Sequence, residues 1–314
     1  MTYCYSHCLR PIFSSILLKT LQKGTSINLI APTGQGRKRL LYNIKNAQLK
    51  NTLVLFVDMK IYKEDYKGFI LEIWQQLNEK GEQPLDFCQL VSRLENIDQH
   101  IIILMYHFDE LLDNMRIDPK FDVIFFDNLN SICNKAKISL LCVTEKPHNQ
   151  SIVFINGEVH GYSWLNLETK RLPKLGYDEI KFELNNRDLS LSSDELSLIT
   201  WVVHEHIKSY NLLNFFADKI ANKENDELEL PRRLEIWLKQ FNEKKNLNTP
   251  INIVQFQRFT KEFCKVTQEN NKLSLDYFVD LITKRFSRMV SVLCRFFKIR
   301  CTDKTDENRK NCSD

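Results

Sequence analysis

Residues 27–41 read Ile-Asn-Leu-Ile-Ala-Pro-Thr-Gly-Gln-Gly-Arg-Lys-Arg-Leu-Leu: an apolar strand, a tight glycine turn and the start of a helix. That layout suits an anion. In the phosphate-binding pattern G-x-x-x-x-G-K-[ST], backbone N–H groups cradle phosphates, the Lys reaches the outer phosphates and the hydroxyl holds Mg²⁺. This chain departs from it at three points. Ala31 stands at the first Gly, Arg37 at the Lys and Lys38 at the Ser or Thr, while Gly34 and Gly36 remain. Thr33, Gly34, Gln35, Gly36, Arg37, Lys38 and Arg39 therefore keep a cradle at a helix N-terminus but lack the metal-binding hydroxyl. Arg37 still carries positive charge, on a planar fork bulkier than an ammonium.

A second constellation is Ile101–Tyr106 followed by His107-Phe108-Asp109-Glu110. An apolar strand ending in Asp-Glu is the Walker B arrangement, in which Asp109 orients metal or its water and Glu110 polarises an attacking water. Both must sit at the carboxyl end of a strand beside the glycine turn. Acids at this place equally suit a helix N-terminus; the glycine turn upstream favours the chemical reading. The third element is the strand Ile138–Val143, which ends in Thr144-Glu145. Thr144 is placed to sense a γ-phosphate, or simply ends the strand.

These residues need a scaffold, and the chain supplies one. Ile27–Ile30, Leu53–Val57, Ile101–Tyr106 and Ile138–Val143 are continuous apolar runs, as in strands buried on both faces of a parallel sheet. Helical stretches are expected over the segment reaching Leu21 and over Lys38–Lys50, Tyr66–Glu79, Pro84–Glu95 and Val123–Ala136. This alternation predicts an α/β, doubly wound, mostly parallel sheet. Ser151–Leu167 reads as an irregular excursion or hairpin, with Asn156-Gly157 between short apolar runs. From Asp178 the chain reads helical: Asp178–Leu184, Ser193–Ser209, Leu212–Ala221, Leu230–Glu243, Val254–Gln268 and Ser274–Phe297. The expected organisation is an α/β domain over 1–175, a helical lid over 176–245, a C-terminal helical region over 246–300 and a disordered tail over 301–314.

Composition agrees with a globular chain of roughly two domains. Of 314 residues 43% are hydrophobic and 27% charged, with 20 Phe to fill a bulky core. A net charge of +4 is too small to demonstrate a nucleic-acid partner. No apolar run reaches the length of about 18 residues that a membrane span requires. The start of the chain shows no secretory signal, and the nine Cys show no paired spacing, so reduced thiols and a cytoplasmic setting are expected.

The order of these parts resembles bacterial STAND-type, AAA-like P-loop NTPases with a degenerate Walker A motif. The resemblance covers about residues 10–222. It rests on Ser26–Leu41, on Val54–Asp58, on Phe108-Asp109-Glu110-Leu111, on Phe121–Leu129 with Lys137–Thr144, and on Leu172-Pro173-Lys174-Leu175 with Tyr210-Asn211-Leu212-Leu213. The family's Gly-x-Pro near the lid is here Lys208-Ser209-Tyr210. The resemblance implies a nucleotide-responsive or pseudo-ATPase regulatory and assembly module. Its settings would be signalling, phage defence or a mobile-element system. ATP or ADP would be the cofactor, with Mg²⁺ poorly held and hydrolysis weak or lost. A separately encoded protein partner and a homo- or hetero-oligomer are implied too. The alternative is an interaction scaffold without nucleotide binding, touching nucleic acid through its C-terminus.

That C-terminal stretch, residues 284–300, has six basic residues and no acid. Lys284, Arg285, Arg288 and Arg295, interleaved with Phe, could meet nucleic-acid phosphates; a solvated basic face over a packed apolar one is the favoured reading. Cys4-Tyr5-Ser6-His7-Cys8 lacks a second ligand pair at zinc spacing, so no metal site is expected. His204-Glu205-His206 places its two His on different helix faces and reads as structural.

Overall fold

A computed structural model describes residues 8–77, 81–112, 116–133, 135–147, 152–155, 158–161, 167–206 and 209–245, together with Gln257. The sheet has five parallel strands: β1 (Ile27–Ile30), β2 (Thr52–Asp58), β3 (His100–Tyr106), β4 (Ile138–Thr144) and β7 (Glu168–Arg171), in the order β2-β3-β4-β1-β7. The glycine-loop strand β1 thus lies between β4, in register Ile27↔Leu141, and β7, in register Ile27↔Glu168. The acid-pair strand β3 lies between β2 and β4, so it is not the direct neighbour of the glycine-loop strand that the sequence reading required: β4 stands between them, and the two motifs meet only across its carboxyl end. A separate antiparallel pair joins β5 (Ile152–Ile155) to β6 (Glu158–Gly161), with Ile155 opposite Glu158 as the Asn-Gly spacing predicts.

Alternation along β3 divides the core. Ile101, Ile103 and Met105 point to one face and join Phe69, Phe87, Phe121 and Phe125. Those rings come from α4 (Tyr66–Leu77), α5 (Phe87–Glu95), α6 (Val123–Cys133) and the turn before α6. They meet edge-on or tilted, with Phe87–Phe125 at 4.9 Å and Phe121–Phe125 at 5.0 Å between centroids, a preferred aromatic geometry. Ile102 and Leu104 point to the other face and pack on α1 (Pro11–Gln22) and α2 (Arg37–Lys45) through Leu17, Leu21, Leu40, Leu41 and Ile44. A third core joins α7 (Tyr177–Asn185), α8 (Ser193–His206), α9 (Tyr210–Ala221) and α10 (Leu230–Lys245) around Phe216, Trp237 and Leu238, and it also takes in Leu9.

The local signals are specific. Pro11 opens α1, where its missing N–H costs nothing. Asp86 caps α5 by accepting from Gln89 N at 2.8 Å, so that helix begins at Phe87 rather than Pro84. Helix α2 stops at Lys45 rather than Lys50, and Asn51 follows in a left-handed conformation. Helix α6 stops at Cys133 rather than Ala136. Ser209 is not the end of α8 but the N-cap of α9, accepting from Asn211 N at 3.2 Å. The strand β7 was not expected: Glu-Thr-Lys-Arg is polar and its side chains are largely exposed, so it carries no apolar run. The remaining short helix is α3 (Met59–Tyr62), capped by Asp58. The expected helices Val254–Gln268 and Ser274–Phe297, with Lys284, Arg285, Arg288 and Arg295, lie outside the described residues, Gln257 apart.

Candidate functional site

The glycine loop leaves the carboxyl end of β1, which is fixed from both sides. Ala31 N donates to Thr144 O at 2.8 Å and Leu172 N donates to Ile30 O at 2.9 Å. Gly34 and Gly36 take φ of +85° and +79°, a left-handed backbone that glycine adopts without penalty. Gly36 is the N-cap of α2, and no side chain caps that helix. Its first-turn amides are thus an intrinsic anion site.

The loop is covered by its own chain. Ser209 Oγ and Asn211 N both donate to Gly34 O at 3.0 Å. A Cβ on Gly36 would come within 2.9 Å of the Tyr210 ring and 3.1 Å of Leu9. Arg10, fully buried, donates from Nη2 to Gln35 O at 2.8 Å and from Nε to Pro173 O at 3.2 Å. Burial pushes its pKa down to about 10, against the opposing charge of Glu179. Arg10 thereby ties the loop to the segment that runs from β7 into α7.

Arg37 turns toward the acid strand. Its Nε donates to Tyr106 Oη at 3.0 Å, its Nη1 to Ala31 O at 3.3 Å, and its Nη2 to His107 Nε2 at 3.1 Å. Nη1 also lies 3.7 Å from Glu145 Oε2, and the guanidinium sits 5.2 Å from the Tyr106 ring centroid. A guanidinium has donors only, so His107 Nε2 is an acceptor and its proton is on Nδ1. That proton goes to Asp58 Oδ1, 2.8 Å away. His107 itself holds a left-handed backbone, φ +53°, at the point where β3 enters the 3-10 turn Phe108–Leu111. An ordered chain Asp58–His107–Arg37–Glu145 therefore crosses the carboxyl ends of the strands.

The predicted site residues fall as follows. Asp109 Oδ2 accepts from Glu145 N at 3.1 Å, while its Oδ1 is buried without a hydrogen-bond partner. Glu110 Oε2 pairs with Lys63 Nζ at 2.8 Å. The buried Thr144 hydroxyl donates to Asn28 Oδ1 at 3.2 Å, inside the sheet. Thr33 and Lys38 are exposed. Arg39 Nη2 lies 3.8 Å from the buried Glu183 Oε2 on α7. The glycine loop and the acid pair thus both lie at the carboxyl ends of the sheet strands, and Arg37 reaches from the loop to Tyr106, His107 and Glu145. Sequence reading passed over Arg10, Lys63 and His107. A histidine between an apolar strand and two acids was a usable signal for the last; the other two act through long-range contacts.

His204 pairs with its neighbour Glu205 at 2.9 Å and lies edge-on to Tyr177. Cys8 donates to Ser14 Oγ at 3.2 Å. Among the described residues no group of three or more His, Cys, Asp or Glu could hold a metal, and no helix is long and apolar enough to cross a membrane.

A phosphate chain would find donors here in the first-turn amides of α2, which no side chain caps. A divalent metal does not fit. Position 38 lacks a hydroxyl and carries an ammonium, and Asp58, Glu110 and Glu145 already meet protein donors or cations, so the buried unpartnered Oδ1 of Asp109 would have to hold the ion without the hydroxyl that completes such a site.

No family model matches the chain, and no curated protein does. Solved structures do. A chain of Drosophila ORC bound to DNA aligns with TM-score 0.50 and 13% identity, over 74% of this chain and 67% of that one. Domain III of the Thermotoga maritima replication initiation protein DnaA aligns at 0.46 and 11%, over 73% and 90%. A DNA replication initiation factor aligns at 0.43 and 16%, over 73% and 65%. The ORC likeness bears on fold alone, and the two weaker ones add no argument. With five parallel strands in this order, a glycine loop after the first and an acid pair after the third, the chain has the fold of an AAA-like P-loop NTPase.

Proposed function

We propose that this chain is a nucleotide-responsive module that binds ATP or ADP and does not turn it over, acting as a regulatory part of a larger assembly. One observation carries the reading: Arg37, at the position of the catalytic lysine, is spent on Tyr106, Ala31 O, His107 and Glu145. The positive end of α2 supports binding of a phosphate chain. The engagement of Glu110 with Lys63 opposes its service as a base. In this reading Thr33–Arg39 hold phosphates, Asp109 is a vestigial metal-orienting acid and Thr144 a buried sheet contact beside the site. Residues 176–245 serve as a lid on the α/β domain 1–175, because Ser209, Tyr210 and Asn211 lie directly on the glycine loop. Nucleotide would then change how that lid sits, and a separately encoded protein or another copy would read the change. The Drosophila ORC of the similar structure is bound to DNA, and DNA is accordingly a partner to test here. A role in signalling, phage defence or a mobile-element system follows from the family resemblance.

Two measurements test the reading. Thermal unfolding of the full chain should shift upward with ATP or ADP, since a ligand of the folded state stabilises it. Phosphate release from Mg²⁺–ATP should stay at background. Brisk release abolished by Glu110→Gln refutes the loss of turnover. A flat thermal response favours a second reading, a scaffold without nucleotide, for which the lid contacts on Gly34 and Gly36 are the supporting observation.

A further inference from the structure

Building on the nucleotide reading, we propose that Arg37 is a built-in substitute for the divalent metal, so that this chain binds nucleotide independently of Mg²⁺. Four carboxylates gather at the carboxyl ends of β2, β3 and β4: Asp58, Asp109, Glu110 and Glu145. Left bare, they would repel a polyphosphate at this range. In a metal-using site the divalent ion removes that repulsion while bridging acid and phosphate. Here protein groups do part of it: Lys63 and Arg37 bring positive charge, while His107, neutral with its proton on Nδ1, only hydrogen-bonds Asp58. Asp58 accepts the Nδ1 proton of His107, Glu110 pairs with Lys63, and Glu145 faces Arg37. Asp109 accepts from Glu145 N through Oδ2, while its buried Oδ1 has no hydrogen-bond partner.

Arg37 is suited to this task in a way a lysine is not. Its planar fork meets Tyr106, Ala31 O and His107 in three directions at 3.0–3.3 Å, which fixes the charge in space. His107 is its orienting residue. It is clamped by Asp58 and held in a left-handed conformation so that Nε2 faces the guanidinium. Lys38 completes the exclusion, since an ammonium in place of the hydroxyl removes a metal ligand and adds like charge. The phosphates are left to the backbone amides at the start of α2, which need no metal to bind an anion.

The test is isothermal titration of the full chain with ATP, once with EDTA and once with excess Mg²⁺. The proposal expects the same Kd within about twofold. Tightening by Mg²⁺ of about fivefold or more overturns it and leaves the nucleotide reading standing. Absence of binding under both conditions overturns the nucleotide reading and the proposal with it. The double variant Arg37→Lys, Lys38→Thr restores the metal-using pattern and is expected to gain at least about tenfold dependence on Mg²⁺. If that variant folds, as circular dichroism would report, yet stays indifferent to Mg²⁺, Arg37 is not the substitute. If it does not fold, the wild-type comparison decides.

Discussion

Gly36 concentrates several demands in one residue. Its φ of +79° disfavours any side chain, and an added Cβ would meet Tyr210 at 2.9 Å and Leu9 at 3.1 Å. Gly36→Ala should therefore cost about 1–3 kcal/mol in stability, read as a lower urea midpoint at unchanged slope. The same measurement on Gly81→Ala, where nothing lies within 4 Å of the added Cβ, should show little change. His107 carries backbone strain of another kind: a non-glycine residue in the left-handed region persists only where its surroundings insist. Here the insistence comes from Asp58 on one ring nitrogen and Arg37 on the other. The sequence disclosed the types of Gly34, Gly36, Arg37, Asp109 and Glu110, and their order along the chain. It could not disclose that Arg37 turns from the cradle toward β3, because that choice depends on Tyr106 and His107 arriving from some seventy positions away.

Elements were legible in proportion to their apolar content. Strands β1, β3 and β4 are buried runs and announced themselves, as did β2, an apolar run that lies half-buried at the sheet edge rather than covered on both faces; β7 completes the sheet through backbone pairing alone, and Glu-Thr-Lys-Arg has no pattern to read. The joint between α2 and the helical layer was equally hidden. Buried Glu183 on α7 accepts from Arg187 Nη2 at 2.9 Å and Nε at 3.2 Å and faces Arg39 on α2, while Arg187 reaches Tyr210 Oη at 3.1 Å. Removing one member of so enclosed a group leaves charge uncompensated. Glu183→Ala should destabilise by about 2–4 kcal/mol, and Glu183→Gln, which keeps an acceptor, by less; chemical denaturation decides. His100, at the start of β3, bonds the Leu21 carbonyl at 3.0 Å across to α1. Burial holds its pKa below the ordinary 6.5, against the raising effect of the Leu21 and Ala136 carbonyls. As pH falls through 6.5 the unfolded chain takes up this proton first, so stability should drop on acidification. His100→Asn should flatten that slope, visible in urea midpoints measured across the range.

At the scale of the molecule, two sheet-face cores and one helical core meet around a loop that each of the last two touches. Cys142, fully buried at the centre of β4, has its thiol pushed well up by burial, and Cys133 on α6 is raised to about 11. Maleimide needs a thiolate in the open. Modification of Cys142 should then require global opening and run at least about 10³-fold slower than at exposed Cys88, as peptide mapping by mass spectrometry would show; comparable rates would mean that β4 opens on its own. The placement of β1 carries one more consequence. Both strands that border it come from much later in the chain, Ile138–Thr144 on one side and Glu168–Arg171 on the other. During synthesis the glycine turn leaves the ribosome before either of its two rails, residues 138–144 and 168–171, has been made. Long-range pairing of this kind is slow to close. The nascent chain thus carries an unformed glycine turn until both rails have emerged and paired with β1.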